Sequence, residues 1–156
     1  MKPIASFTIN HLTLLPGIYV SRKDKVGEET ITTFDIRMTR PNFEPVMNTA
    51  EMHTIEHLAA TFLRNHKEYG NKTVYFGPMG CRTGFYLLVR NANDGRVLDE
   101  LKKALGAVVD HKGEIFGNTR QECGNYRELC LQAAKDEAAA YLAVLNAREH
   151  SFRYPD

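Results

Sequence analysis

The most clearly helical segment of this chain is NTAEMHTIEHLAATFLRNH, residues 48–66, and the fold is predicted from this segment outward. Asn48 followed three residues later by Glu51 is a capping-box pattern, which predicts that the helix begins there. Apolar residues then recur at the spacing of one helix face: Ile55, Leu58, Ala59 and Phe62. Gly70 is a stop signal beyond the last of them. The pattern predicts a buried amphipathic helix around which the rest of the chain packs.

Two histidines lie beside this apolar face, His53 and His57. Residues four apart on a helix are one turn apart, about 5–6 Å between Cβ atoms, so both imidazoles can reach one divalent metal. Glu56 lies between them, where its carboxylate can act beside a metal without binding it, and H-x-x-E-H is typical of inverted zinc peptidases. The same spacing also arises by chance on amphipathic helices, so a third ligand elsewhere in the chain has to decide.

The composition is that of an ordinary globular protein: 156 residues, 43% hydrophobic and 25% charged. We interpret residues 1–156 as one domain. A net charge of +1 gives no reason to expect nucleic acid or an anionic membrane as a partner. Three cysteines without a signal-peptide pattern indicate reduced thiols in the cytoplasm.

Extended and helical patterns are segregated along the chain, which predicts an α+β fold with a mostly antiparallel sheet. In residues 30–38 the apolar residues alternate with Asp35 and Arg37, so this strand is predicted to be half-buried with those two on its polar face. A charged turn is predicted around Gly27. Further strands are predicted at 4–9, 12–20, 73–76 and 82–90, and helices at 94–111 and 125–147, the last opening on Asn125 and Glu128 as a second capping box.

Cys123 and Cys81 are the cysteines placed where chemistry is feasible. Cys123 falls just before the predicted last helix, and a helix N-terminus favours the thiolate that binds metal. With two histidines it would leave the open position that a catalytic metal needs. Cys81 follows the turn GPMG, where a thiol beside a metal and a cation can act in proton transfer. Each could equally be a small apolar residue, and Cys130, inside the predicted last helix, is interpreted as packing.

Five motifs, in this order and at these spacings, resemble the S-ribosylhomocysteine lyase (LuxS) family: SFTINH, FDIR, HTIEHLAATFLRNH, GPMGCRTGFY and ECGNY. The resemblance runs from Ser6 to the last helix. It implies a four-stranded, mostly antiparallel sheet packed by about four helices, and a homodimer with its active sites at the subunit interface.

The resemblance also implies residue roles. His53, His57 and Cys123 match the ligands of one divalent metal, Fe²⁺ in that family and replaceable by Zn²⁺ or Co²⁺. Cys81 and Glu56 match the acid–base pair that moves a carbonyl and then eliminates homocysteine, leaving 4,5-dihydroxy-2,3-pentanedione, the autoinducer-2 precursor. Residues that match the substrate pocket are Ser6, His11 and Arg37; from the pattern alone, His11 and Arg37 could also be surface residues.

Three positions depart from the family pattern, and one of them is the histidine expected after CGNY, which is absent from CGNYRELC. Tyr75 stands where members carry an acidic residue near the homocysteine amino group, and Tyr19 stands where an arginine is usual. These departures affect the expected recognition of homocysteine and leave the metal ligands and proton-transfer residues unchanged.

Two other functions are compatible with parts of the pattern. A metallopeptidase of the H-x-x-E-H type would take a distant glutamate as third ligand and would leave Cys81 and Cys123 without a task. A structural metal would need a fourth ligand, and no further Cys or His stands at a convincing spacing.

Overall fold

Four antiparallel strands and three α-helices make up the fold, in the computed structural model that describes residues 1–156. Their bounds are, in chain order, β1 Gly17–Val26, β2 Glu29–Arg37, α1 Thr49–Asn65, β3 Thr73–Pro78, β4 Gly84–Arg90, α2 Asp94–Asp110 and α3 Leu131–Ala147. The strand order across the sheet is β1-β2-β4-β3, and every neighbouring pair is antiparallel. The predicted α+β class with a four-stranded antiparallel sheet is confirmed.

The core lies between one face of the sheet and the helices. Successive strand residues point to opposite faces, and those of one face join the buried helix residues in a single cluster. Its strand members include Phe34, Ile36, Phe85 and Leu87, and its α1 members include Ile55 and Leu58. The apolar stripe of residues 48–66 therefore packs as predicted.

Helix α1 begins as its sequence predicts. The Asn48 side chain accepts from the backbone N–H of Glu51, and the Glu51 carboxylate accepts from the backbone N–H of Asn48, which completes the capping box. Because such caps satisfy otherwise unpaired N–H groups, they fix where the helix starts. The position of His53 and His57 follows from that start.

The second predicted capping box is wrong. Helix α3 begins at Leu131, and Asn125 and Glu128 instead close a turn, with the N–H of Glu128 donating to the carbonyl of Asn125 at 3.2 Å. Cys130 is the residue before the helix and is exposed, so its predicted burial inside the helix is also wrong. The turn leaves the Glu128 carbonyl free to accept from His53, which is a use that local sequence does not reveal.

The N-terminal strand predictions need two corrections. Residues 5–7 form a 3-10 turn rather than a strand, and the only other helices are the three α-helices. Strand β1 begins at Gly17 and runs through the charged residues to Val26, so the turn is only Gly27 and Glu28. Gly27 has φ +63°, a conformation that suits glycine, and this allows the tight β1–β2 hairpin.

The second face of β2 is buried too, contrary to the half-buried prediction. Asp35 is 0% exposed and Arg37 is 2% exposed. They pair with each other and with side chains that approach from the C-terminal end and from the β3–β4 turn. No helix combines the length and the apolarity that spanning a bilayer requires.

Candidate active site

The two histidines of α1 are held in one tautomer by backbone carbonyls. The Nδ1 atom of His53 lies 2.9 Å from the carbonyl oxygen of Glu128, and that of His57 lies 2.7 Å from the carbonyl oxygen of Phe116. Because a carbonyl only accepts, each Nδ1 carries the hydrogen and each Nε2 presents a lone pair. Metal-binding histidines typically make such a hydrogen bond through the ring nitrogen that does not bind the metal, here Nδ1.

Cys123 supplies a third donor beside these nitrogens. Its sulfur lies 3.3 Å from Nε2 of His53, and the ligand atoms of His53, His57 and Cys123 all lie within 4.8 Å of one another. The sulfur also accepts from the backbone N–H of Asn125 at 3.4 Å. Cys123 lies on the α2–α3 loop, residues 111–130, well before α3 begins, so proximity to that helix N-terminus does not explain its position.

The donor set fits a metal ion. Two neutral imidazoles and a thiolate suit iron, cobalt or zinc, whereas magnesium and calcium prefer oxygen ligands. Three protein ligands leave a fourth position for water or substrate, which is the pattern of catalytic sites. Glu56 is not a member of the ligand group; its half-buried side chain forms no ion pair within the chain.

Cys81 lies at the exposed tip of the β3–β4 turn. Arg82 has φ +62° and donates its N–H to the Met79 carbonyl at 3.0 Å, which closes the turn. Glycine is required at position 84, just after this turn, because a Cβ there would clash with the backbone carbonyl oxygen of Ile36. The close approach of β4 to β2 at Gly84 brings the turn beside Arg37.

Two side chains meet the Cys81 sulfur from this side. Nη1 of Arg37 lies 3.9 Å from Sγ and donates to the Thr83 hydroxyl at 2.7 Å, and that hydroxyl lies 3.1 Å from Sγ. The structure thus brings Arg37 and Cys81 together.

Asp35 fixes the other side of the Arg37 guanidinium. Oδ1 accepts from Nε at 3.0 Å and Oδ2 accepts from Nη2 at 2.6 Å, a two-pronged ion pair. Burial lowers the pKa of Arg37, but the hydrogen bond to Asp35 and its charge outweigh burial, so the pKa is raised above its usual value. Arg37 is therefore a permanent cation, and the surface position that the pattern alone allowed for it is wrong.

A cavity of about 420 Å³ opens in front of the thiol. His11, Cys81 and Thr83 line it together with residues 41–46. Ser6 instead lines a separate cavity of about 330 Å³, whose other residues include Tyr75 and Arg22. Tyr19 lines neither of these cavities, since its side chain is buried and stacks on Tyr154.

Three contributors to the site were not predicted from sequence: the carboxylate of Asp35, the hydroxyl of Thr83 and the hydroxyl of Tyr154. Opposite charges two residues apart on one strand face could have indicated the Asp35–Arg37 pair. Thr83 follows Cys81 by two residues, but nothing in its pattern distinguishes a site hydroxyl from an ordinary strand threonine. Tyr154 lies 119 residues from Asp35 in sequence and has no local signal.

The fold and the ligand set together define a class, the small α+β metalloenzymes that bind a metal through two histidines and a cysteine and keep one position open. A family model described as S-ribosylhomocysteinase (LuxS) matches residues 4–151. The chain belongs to this family.

Relatives in three bacteria agree with that assignment, and all three are named S-ribosylhomocysteine lyase. The proteins of Clostridium beijerinckii and Clostridium acetobutylicum are 57% and 56% identical to this chain, and that of Finegoldia magna is 52% identical. In each case the match covers 100% of both chains.

Proposed function

We propose that this protein is an S-ribosylhomocysteine lyase, which converts S-ribosylhomocysteine into homocysteine and 4,5-dihydroxy-2,3-pentanedione. The observation that carries the proposal is the convergence of His53, His57 and Cys123 to within 4.8 Å in a member of this family. The shared name of relatives that match the whole chain supports the same reaction.

His53, His57 and Cys123 would hold one divalent metal, which we propose to be Fe²⁺, with Zn²⁺ or Co²⁺ able to replace it. When bound, the metal supplies Lewis acidity, which makes C–H bonds beside the sugar carbonyl easier to ionise. Two backbone carbonyls keep the histidine lone pairs directed to that position. A reduced, cytoplasmic location suits a ferrous site with a thiolate ligand.

Cys81 moves the first protons. As a thiolate it removes the proton from C2 of the open-chain sugar and returns one at C1, while the hydroxyl proton on O2 passes to O1, so that the carbonyl shifts from C1 to C2. A second transfer, of the C3 proton to C2 and of the O3 proton to O2, shifts the carbonyl to C3. Both steps are isomerisations in which no electrons enter or leave. The Arg37 guanidinium, with Nη1 3.9 Å from the sulfur, stabilises the thiolate between transfers.

Glu56 completes the reaction. With the carbonyl at C3, its carboxylate removes the proton from C4, and the C5–S bond breaks with its electron pair going to sulfur. Homocysteine leaves as a thiolate that takes up a proton. The enol that remains gains a proton at C5 and loses the proton of its C4 hydroxyl, which gives the neutral diketone, so atoms and charge balance. A carboxylate without an ion pair inside the chain is free for this transfer.

Ser6, His11 and Arg37 are the proposed substrate-binding residues, in a homodimer with its active sites at the interface. Because Ser6 lines a different cavity from Cys81 in the same chain, a partner subunit is the simple way to bring it to the substrate. Exposed apolar side chains support such an interface. Phe43 and Val46 line the thiol cavity, and Leu12 follows the cavity residue His11 in sequence.

The test is release of free thiol from S-ribosylhomocysteine by protein purified without oxygen, followed with a thiol reagent. Wild type and Cys130→Ser should release thiol, because Cys130 is exposed and lies outside both the ligand group and the thiol cavity. Cys81→Ser should retain its metal but lose at least about 99% of the rate of thiol release, because a serine hydroxyl ionises far less readily than a cysteine thiol. Equal rates in Cys81→Ser and wild type would contradict the proposal.

A further inference from the structure

The C-terminal tail, residues 151–156, packs onto the sheet beside the thiol site. Phe152 bridges to Tyr19 of β1, and its carbonyl accepts from the N–H of Val20 at 2.8 Å. The Tyr154 ring stacks on the Tyr19 ring, with centroids 5.0 Å apart and planes 16° apart. The family match ends at residue 151, so it does not include Tyr154.

Tyr154 reaches the buried ion pair through its hydroxyl. The hydroxyl donates to Oδ2 of Asp35 at 2.8 Å, the same oxygen that accepts from Nη2 of Arg37 at 2.6 Å. Asp35 is 0% exposed, so within the chain its carboxylate depends on these donors and on Nε of Arg37 at 3.0 Å. A buried carboxylate without its full set of donors is costly, and its side chain or its partner then shifts.

The contacts continue without a break to the catalytic thiol. Tyr154 bonds Asp35, Asp35 holds two nitrogens of Arg37, and the third nitrogen faces Thr83 at 2.7 Å and the Cys81 sulfur at 3.9 Å. We propose that Tyr154 is a positioning residue for Cys81, because its hydroxyl fixes Asp35 and thereby directs the Arg37 cation to the thiol. The inference rests on the proposed role of Cys81 in proton transfer.

The hydroxyl is suited to this role over the working pH range. Burial raises the pKa of Tyr154 well above its usual value, and the charge of Asp35 and the hydrogen bond to it raise it further. The group thus stays a neutral donor. If the bond is lost, Arg37 becomes the only donor left to Oδ2, is drawn toward Asp35 and stabilises the thiolate less well.

Other charged or titratable groups also surround the thiol and have to stay unchanged in the test. Tyr86 of β4 lies close enough for its charge to be coupled to that of the thiol, and the cavity wall carries two further groups. These groups include Asp35, Arg37, Tyr86 and Tyr154 on the sheet side and His11 and Glu44 on the cavity side.

The test compares Tyr154→Phe with Tyr19→Phe in the full-length, metal-loaded protein. Both variants keep the stacked rings, but only Tyr154→Phe removes a donor to Asp35, because the Tyr19 hydroxyl donates to the Leu15 carbonyl at 2.7 Å. The protein is treated with iodoacetamide at pH values from 5 to 10, and alkylation of Cys81 is measured by mass spectrometry of its peptide. The peptide analysis distinguishes Cys81 from Cys123 and Cys130. Thermal unfolding is recorded for each variant.

In Tyr154→Phe we expect the pH at which Cys81 alkylation reaches half of its maximal rate, the midpoint, to lie about 0.5 above that of wild type. Alkylation at pH 7 should then be about threefold slower. Its kcat for thiol release should fall similarly at pH 7, recover at higher pH and leave KM unchanged. Tyr19→Phe should match wild type in its midpoint. An unchanged midpoint in Tyr154→Phe, or equal shifts in the two variants, would overturn the inference. Alkylation needs no substrate, so this result is independent of whether wild type releases thiol.

Discussion

His53 and His57 show how single residues acquire function from groups far away in sequence. Their spacing on α1 follows from the geometry of the helix, but their tautomers are set by the carbonyls of Glu128 and Phe116 on the α2–α3 loop. Without those bonds either ring nitrogen could carry the hydrogen. A metal-binding pair therefore needs both the helix and the loop.

Loss of Cys123 should remove the metal. In Cys123→Ala only two ligands of the group remain, and we expect the metal content after anaerobic purification to fall from about one ion per chain to less than about 0.2. Metal is measured by plasma mass spectrometry, with Cys130→Ser as the control. A peptidase that used a distant glutamate as its third ligand would keep its metal in Cys123→Ala, so full retention would favour that alternative.

Glu137 makes stability depend on pH. Burial raises the pKa of Glu137, and the nearby charges of Glu51 and Glu44 raise it further. At a pH below its unfolded pKa the group is neutral in both states and costs nothing. As the pH rises, Glu137 ionises more readily in the unfolded chain than in the folded one. Its ionisation therefore favours unfolding at neutral pH.

Glu137→Gln should therefore raise the thermal unfolding midpoint of the metal-free protein at pH 7 and leave it nearly unchanged at pH 4. Glu149→Gln is the matched control, because Glu149 is exposed and forms no ion pair. A gain of equal size at both pH values would show that the effect is not due to ionisation of Glu137.

Among the elements, the α2–α3 loop contributes most to the site. It supplies the Cys123 sulfur and the two carbonyls that orient the histidines. Gly117 lies in this loop with φ +71°, and a Cβ there would come within 3.3 Å of Nδ1 of His57. Any residue other than glycine at position 117 would therefore disturb the His57 imidazole.

Gly117→Ala should weaken metal binding about tenfold or more, as changes to groups that orient a ligand do. Gly113→Ala is the control: φ there is +89°, so backbone strain is similar, but nothing lies within 4 Å of the added Cβ. Competition between each apoprotein and a chelator for Co²⁺ gives the affinities. If both variants bind Co²⁺ equally well, the contact with His57 does not matter.

The elements also show what sequence could and could not predict. Periodic apolar residues and a capping box specified α1, and alternation specified the strands, since these patterns arise from local geometry. The start of α3 was misplaced because Asn125 and Glu128 fit both a helix cap and a closed turn. The burial of Arg37 was missed because its covering groups, Asp35, Thr83 and Tyr154, come from three separate parts of the chain.

At the scale of the whole molecule, the exposed apolar surface near the thiol cavity predicts a dimer. Leu12→Asp should shift sedimentation at micromolar concentration from two chains to one and lower thiol release per chain at least tenfold, because it charges the proposed interface. Val26→Asp is the matched control: Leu12 and Val26 are each 61% exposed, but Val26 lies at the end of the β1–β2 hairpin. Dissociation by Val26→Asp alone would put the interface elsewhere.

The proposed reaction is cleavage of S-ribosylhomocysteine by carbonyl migration and elimination. The most direct measurement counts both products from anaerobically purified, iron-loaded wild type: free thiol with a thiol reagent, and diketone trapped as a quinoxaline with an aromatic diamine. We expect equal amounts of the two products over many turnovers. Thiol without diketone, or neither product from fully metal-loaded protein, would contradict the proposed reaction.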